Sequence, residues 1–224
     1  MLGNIRLPVI VLAASSPAAG AGANIGISAL AAAASAGTHI RAGRIDWRLF
    51  GWMAPPSIAG GLAGGFLSGK VPGNAFLIAT GVLLLAFGAD LLRPKAAAGR
   101  AAPAEPKASA AIVTGVVIGL LGGFVGLILG ALRLPALIRY VGADAFRAIG
   151  TNAAVGFCLG AAGVVGHLPG GVDWTLLAVG AASSVPGSII GARLTGRLDE
   201  RQLLGAVGLV LLVAGTVLIL QGAL

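Results

Sequence analysis

Apolar residues run along this chain in long uninterrupted blocks, not as the one-sided stripe of a surface helix or the alternation of a half-buried strand. Blocks near the roughly 20 residues that a spanning helix needs occupy 19–37, 47–68, 73–92, 146–167, 174–193 and 203–223. A shorter apolar piece, 5–13, is closed by Ser15, Ser16 and Pro17 and is too short to span. Residues 111–141 are apolar but too long for one ordinary span, and they are interrupted around Gly130 to Pro135. They either cross once with a kinked extension or enter and return. Between these blocks, 93–110 carries Arg93, Pro94, Lys95, Arg100, Pro103, Glu105, Pro106 and Lys107 among alanines, the composition of a polar linker. No ten-residue alternation of the kind that builds a membrane barrel is present. The expected fold is all-α: a polytopic transmembrane helical bundle.

Composition agrees. Hydrophobic residues make up 57% of the chain and charged ones 10%, with mean hydropathy +0.98, far from the roughly 25% charge of an ordinary soluble domain. The net charge of +8 lies in short segments between apolar blocks, which suits orientation in a membrane and not a nucleic-acid partner. Cys158 is the only cysteine, so a disulfide framework and a thiolate metal site are both excluded. The N-terminus lacks the charged region, short apolar core and cleavage site of a removable signal peptide.

The blocks repeat. Gly3-Asn4-Ile5-Arg6-Leu7-Pro8 returns as Gly130-Ala131-Leu132-Arg133-Leu134-Pro135. Ala23-Asn24 returns as Thr151-Asn152, His39 as His167, and Asp46-Trp47 as Asp173-Trp174, all at an offset of 127 or 128. Shared glycine and alanine content does not align Arg, Pro, Asn, His, Asp and Trp in one order. The chain therefore divides into a first transmembrane repeat, 1–92, a cytoplasmic linker, 93–110, and a second repeat, 111–224. Charge sets their relative orientation, because cytoplasmic loops are enriched in Lys and Arg. With 111–141 returning as a hairpin, 12 of the 15 cations fall on the linker's side, leaving Lys70 outside and Arg6 and Arg133 at the breaks. Each half then has a re-entrant hairpin and three crossings, so the repeats are inverted, as in alternating-access transporters. The second hexapeptide is preceded by an apolar arm, Ala111 to Leu129, whereas the first begins near Met1. The first repeat is thus N-terminally incomplete; an apolar, glycine-rich arm encoded upstream is the expectation, and a genuine half-hairpin is the alternative.

Candidate chemistry gathers at the breaks. Irregular backbone at membrane depth is tolerated where it is buried in protein or lines a cavity. Pro8 and Pro135 suit the first turn of a new half-helix, and Gly3 and Gly130 expose backbone N–H groups there. Two such ends would attract an anion. Arg6 and Arg133 could fork to a carboxylate, sulfite or sulfonate; the other reading is snorkelling, or neutralising a carbonyl end. Asn24 and the pair Thr151-Asn152 supply neutral polar groups to the site, or join helices. His39 and His167 read as interfacial caps or proton carriers, Asp46 and Asp173 as N-caps, and Trp47 and Trp174 as interface anchors. Pro56 and Pro186 are expected to kink their helices. Small residues four apart, as at Gly115, Gly119 and Gly123 or at Gly60 and Gly64, permit close helix approach and are compatible with a homo-oligomer.

Enzymatic readings find little footing. Gly26-Ile27-Ser28-Ala29 only faintly suggests a serine site, no phosphate loop is present, and two histidines without clustered carboxylates make no metal centre. No cofactor is expected.

The run from Gly119 to Trp174, with GLLGGFVGLILGALRLPALIRYVG, then AIGTNAAVGF, then GVVGHLPGGVDW, resembles the TauE/SafE family of sulfite exporters. The tail SSVPGSIIGARLTGRL, at 183–198, is similar to that family too, and the first half fits its weaker N-terminal pattern from Asn4 to Phe66. The resemblance implies a permease of seven to eight helices that moves small anions, often sulfite or sulfonates, outward across the cytoplasmic (inner) membrane of a prokaryote. It places the glycine–proline breaks at Gly3, Pro8, Gly130 and Pro135 and the polar pair at Thr151-Asn152, while Ala23 stands where the second half has Thr151. The expected substrate contacts are therefore Arg133, Asn152, Thr151, Gly130, Pro135, Asn24, Arg6, Gly3 and Pro8. Its partners would be a small anion and the lipid bilayer. A non-transporting membrane subunit that anchors or assists a partner complex is the alternative.

Overall fold

The computed structural model describes residues 10, 13–67, 107–141, 143–195, 197 and 200–223, with isolated positions between 78 and 92. These are helical apart from turns and short connections, and no strand occurs among them. Gly3, Arg6 and Pro8, most of the 73–92 block and most of the linker lie outside the described residues.

Helix α1 spans Pro17–Arg41. It starts where Ser16 Oγ accepts from the Ala19 N–H at 3.1 Å, with Pro17 at the first helical position. A turn through Gly43 (φ 65°) leads to α2, Trp47–Leu67. Asp46 Oδ1 caps α2 through the Leu49 N–H, and Asp173 caps α6, Trp174–Thr195, through the Leu176 N–H in the same way. Both tryptophans that follow these caps are 60% exposed. Pro55, Pro56 and Pro186 lie inside continuous helices.

Residues 107–141 fold back on themselves. Helix α3, Ala108–Val125, ends at Gly126 with φ 72°, and Leu127 N–H reaches back to Gly122 O at 2.9 Å, the hydrogen bond of a glycine-terminated helix. After Leu127–Leu129 comes the seven-residue α4, Gly130–Ala136, then a π-helical turn, Leu137–Val141. The chain returns to its starting point, with Lys107 N–H donating to Val141 O at 3.1 Å. The interruption thus sits four residues earlier than Gly130 to Pro135, and Pro135 falls near the end of α4, not in its first turn. Positive φ, which glycine adopts without a Cβ clash, ends the helix. The proline instead withdraws an N–H that would have bonded Ala131 O, and the helix widens immediately beyond it.

Helix α5, Ala145–His167, is capped by Asp144, and α7, Glu200–Ala223, closes the chain. Helices α1 and α5, the counterparts across the repeat, run antiparallel. Gly22 abuts His167, Ile25 abuts Gly163, Ala29 abuts Gly160, and Gly150 abuts His39. Gly81 and Gly88 lie against Gly215 and Gly208 of α7, again antiparallel. α1 runs parallel to α6, and α2 runs parallel to both α5 and α3. The α2–α3 contact is glycine-mediated on both sides: a Cβ at Gly60 would lie 2.6 Å from Leu120 N, and one at Gly119 2.8 Å from Ser57 O. Ser57 Oγ donates to Gly115 O at 3.3 Å across it.

This arrangement gathers cations at one end. Arg44 Nη1 donates to Ala192 O of α6 at 3.4 Å, and its carbonyl lies against Gly150 of α5. Arg41, Arg44, Arg48, Lys107, Arg147, Arg193 and Arg197 all belong to helix ends or turns there. Three helical stretches, Ala19–Arg41, Ala145–Gly170 and Trp174–Leu194, are long and apolar enough to cross a bilayer among the described residues.

Candidate functional site

The break after α3 inserts between α1 and α5. Ile128 fills the gap that Gly156 and Gly160 leave on α5, with Cγ2 3.2 Å and Cδ1 2.8 Å from where their Cβ atoms would be. Ending a helix leaves carbonyls without intrahelical partners, and two asparagines donate to carbonyls on either side of the break. Asn24 of α1 donates from Nδ2 to Gly126 O at 3.0 Å, and Asn152 of α5 donates from Nδ2 to Gly130 O at 3.1 Å. Counterparts on the two antiparallel helices therefore converge on opposite ends of one loop.

Arg133 projects from α4 into this centre with no exposed surface. Its Nη1 donates to Asn152 Oδ1 at 3.2 Å. Asn152 thus uses its oxygen to hold the guanidinium and its nitrogen to hold the break. Nε and Nη2 of Arg133 are buried and have no hydrogen-bond partner among the described residues. These two nitrogens share one edge of the planar guanidinium, which is the edge that presents two parallel N–H bonds to a pair of oxygens.

Arg133, Asn152, Gly130 and Asn24 are thus brought together. Gly130 contributes its carbonyl, not a free amide, because its N–H turns to Ile128 O at 2.7 Å. Thr151 is buried beside them, but its Oγ1 accepts from the Asp46 N–H at 2.9 Å and so ties α5 to the α1–α2 turn. In the first half Ala23 has no hydroxyl to offer, and the Asp173 N–H goes to Ala19 O at 3.2 Å instead. Pro135 belongs to α4 by backbone only. The histidines are buried in the last turns of α1 and α5, and each lies against a glycine of the opposite half. His167 Nδ1 lies 2.9 Å from Gly163 O; a carbonyl only accepts, so this nitrogen carries the proton. Sequence reads Gly126 only as one of the glycines spaced four apart at Gly122, Gly126 and Gly130, and it does not single out Ser57. Among so many glycines only the positive φ distinguishes Gly126, and Ser57 is one hydroxyl in an apolar helix.

A model of the family described as Sulfite exporter TauE/SafE matches residues 2–218. The chain belongs to that family. TauE/SafE proteins are membrane transporters and not enzymes, and this one is a multi-pass membrane protein. It is 35% identical over 118 residues to the "Probable membrane transporter protein YjnA" of Bacillus subtilis (strain 168), an alignment covering 52% of this chain and 46% of that protein. The chain thus matches about half the length of that relative. No solved structure matches.

Proposed function

We propose that this TauE/SafE protein is a secondary transporter that exports a small oxyanion, sulfite or an organosulfonate, by alternating access, with Arg133 as the principal contact. The observation that carries the reading is the buried guanidinium whose Nε–Nη2 edge has no partner among the described residues while Asn152 fixes its other side. A charge taken out of water and left unpaired costs several kcal/mol. An anion with two oxygens on adjacent vertices offsets this through two charge-assisted hydrogen bonds, whereas a halide engages the fork with a single atom. Asn24 and Asn152 shape the loop beneath the anion, and Thr151 holds the helix from which Asn152 reaches.

The antiparallel placement of α1 against α5, and of Gly81 and Gly88 against α7, supports inverted repeats that exchange roles as access alternates. The cation-rich end, taken as cytoplasmic by the positive-inside rule, draws anions to the entry side of an exporter. Assignment to the cytoplasmic membrane of a prokaryote rests on the family.

The test is anion flux in vesicles reconstituted with the purified chain. Wild-type protein is expected to move sulfite or a sulfonate and to leave chloride behind, and Arg133→Ala to lower the rate by about two orders of magnitude. Arg133→Lys, which keeps the charge but loses the fork, falls between them. An Arg133→Ala protein that folds normally and transports at the wild-type rate would sink the assignment. Flux by the purified chain also separates a transporter from a subunit that only assists a partner.

A further inference from the structure

The turns that follow α1 and α5 are built alike. Gly43 and Gly171 are counterparts at an offset of 128, and both hold positive φ, 65° and 91°. Each turn meets a glycine of the opposite helix. A Cβ at Gly150 of α5 would run into the Arg44 carbonyl oxygen and lie 2.9 Å from its carbon and 3.2 Å from His39 Cβ. A Cβ at Gly22 of α1 would lie 3.0 Å from Gly171 O, 2.9 Å from Val172 Cγ2 and 3.3 Å from His167 Cβ. Gly22 and Gly150 are themselves counterparts at 128, as are His39 and His167. One contact is thus built twice, once at each end of the antiparallel α1–α5 pair.

The two contacts flank the break. Asn24 and Asn152, whose amides hold its two sides, each come two residues after a covered glycine. Both contacts also lie between the repeats: a turn of the first closes on α5, and a turn of the second closes on α1. Backbone against a position with no Cβ is the closest approach two segments make. Both are closed at once in this conformation, in which Arg133 has no exposed surface. Midway between them Ala29 lies against Gly160, again in close contact. A helix pair that rocks as a rigid body about such a midpoint separates at one end only.

We propose that the two turns are the gates of the transporter, Gly43–Arg44 closing on Gly150 at the basic end and Gly171–Val172 closing on Gly22 at the other. Gly150 and Gly22 are positioning residues, which set how firmly each end closes. Parting of one contact tightens the other, as rocking of one repeat on its partner demands. The gates presuppose the alternating access proposed above.

The test is the labelling rate of single cysteines in a Cys158→Ser background, measured with a soluble maleimide on the full chain in lipid nanodiscs, where both ends are open to the reagent. Ala36→Cys reports the basic end, since Ala36 is buried and clusters with Ile45 of the first turn. Ala19→Cys reports the other end, since Ala19 is buried and its carbonyl accepts the Asp173 N–H at 3.2 Å. Gly150→Ala is expected to speed labelling of Ala36→Cys by about tenfold and to slow that of Ala19→Cys. Gly22→Ala is expected to do the reverse. Val172→Ala removes atoms from the second contact and adds none, so it avoids any crowding that would block folding, and it is expected to act as Gly22→Ala does. A local packing defect exposes only its own end. Unchanged labelling at the far end, or faster labelling at both ends together, would overturn the proposal. The readout needs no anion. Reciprocal labelling in a chain that moves neither sulfite nor a sulfonate keeps the gates and removes the substrate reading, whereas anion flux without reciprocity removes the gates alone.

Discussion

Arg133, Asn152 and Thr151 are neighbours in sequence or space, yet their bonding separates their roles. Asn152 holds the guanidinium through Oδ1 at 3.2 Å. Asn152→Asp puts a permanent carboxylate beside the fork, where it competes with any anion. Transport is expected to fall by about tenfold or more, read as efflux from vesicles at matched protein content. Thr151→Val removes only the acceptor of the Asp46 N–H. The expected result is a loss of about 1–3 kcal/mol of stability from an orphaned buried donor, seen as a lower unfolding temperature in detergent, with the rate per folded molecule unchanged. An equal drop in rate for both variants would place Thr151 at the substrate as well. Sequence named these residues because Arg, Asn and Thr are conspicuous in apolar surroundings. It could not apportion them, because which hydroxyl ties down a turn and which amide grips a charge depends on contacts 19 to 105 positions apart.

At the level of helices, two kinds of glycine coexist. Gly51 and Gly60 share α2, but a Cβ meets nothing within 4 Å at Gly51 and would lie 2.6 Å from a backbone nitrogen of α3 at Gly60. Gly60→Ala is expected to destabilise by about 1–3 kcal/mol through overpacking, and Gly51→Ala to be neutral or to stabilise by up to about 1 kcal/mol, both measured by thermal unfolding. Gly126→Ala belongs with the costly group, since φ 72° and the nearby Ala21 carbonyl at 2.7 Å both oppose a side chain. The starts of α2 and α6 were legible because an Asp before Trp carries its own capping chemistry; Ser16 before Pro17, which caps α1, reads in sequence only as the close of the preceding piece. The helix end at Gly126 was not legible. Gly122, Gly123, Gly126 and Gly130 look alike in sequence, and what tells them apart lies far along the chain: Asn24 donates to the carbonyl of Gly126 and Asn152 to that of Gly130. Arg133 and Pro135 drew attention four residues too far along because they are the unusual residues there. The break itself needs only a glycine and two distant amides.

For the whole molecule the decisive geometry is that residues 107–141 leave one end and come back to it, joined by the 3.1 Å bond from Lys107 to Val141. Were that segment a crossing, Arg147, Arg193 and Arg197 would be carried to the face opposite Arg41 and Arg48. Instead the Arg44 guanidinium reaches the last turns of α6, so both halves share one basic end. Holding seven cations on the cytoplasmic side is what the positive-inside rule favours, and the hairpin is what makes that possible for the second half. The consequence is testable with single cysteines in a Cys158→Ser background. In intact cells, Arg48→Cys, Lys107→Cys and Arg197→Cys are expected to resist a membrane-impermeant thiol reagent and to react once the membrane is opened. Pro169→Cys, in the exposed turn after α5, is expected to react from outside. Labelling of Arg197→Cys from outside while Arg48→Cys stays protected would mean that 107–141 crosses the bilayer, and with it the inverted relation of the two halves would fall. Labelling of Arg197→Cys only after opening keeps the basic ends of both halves on one side of the membrane.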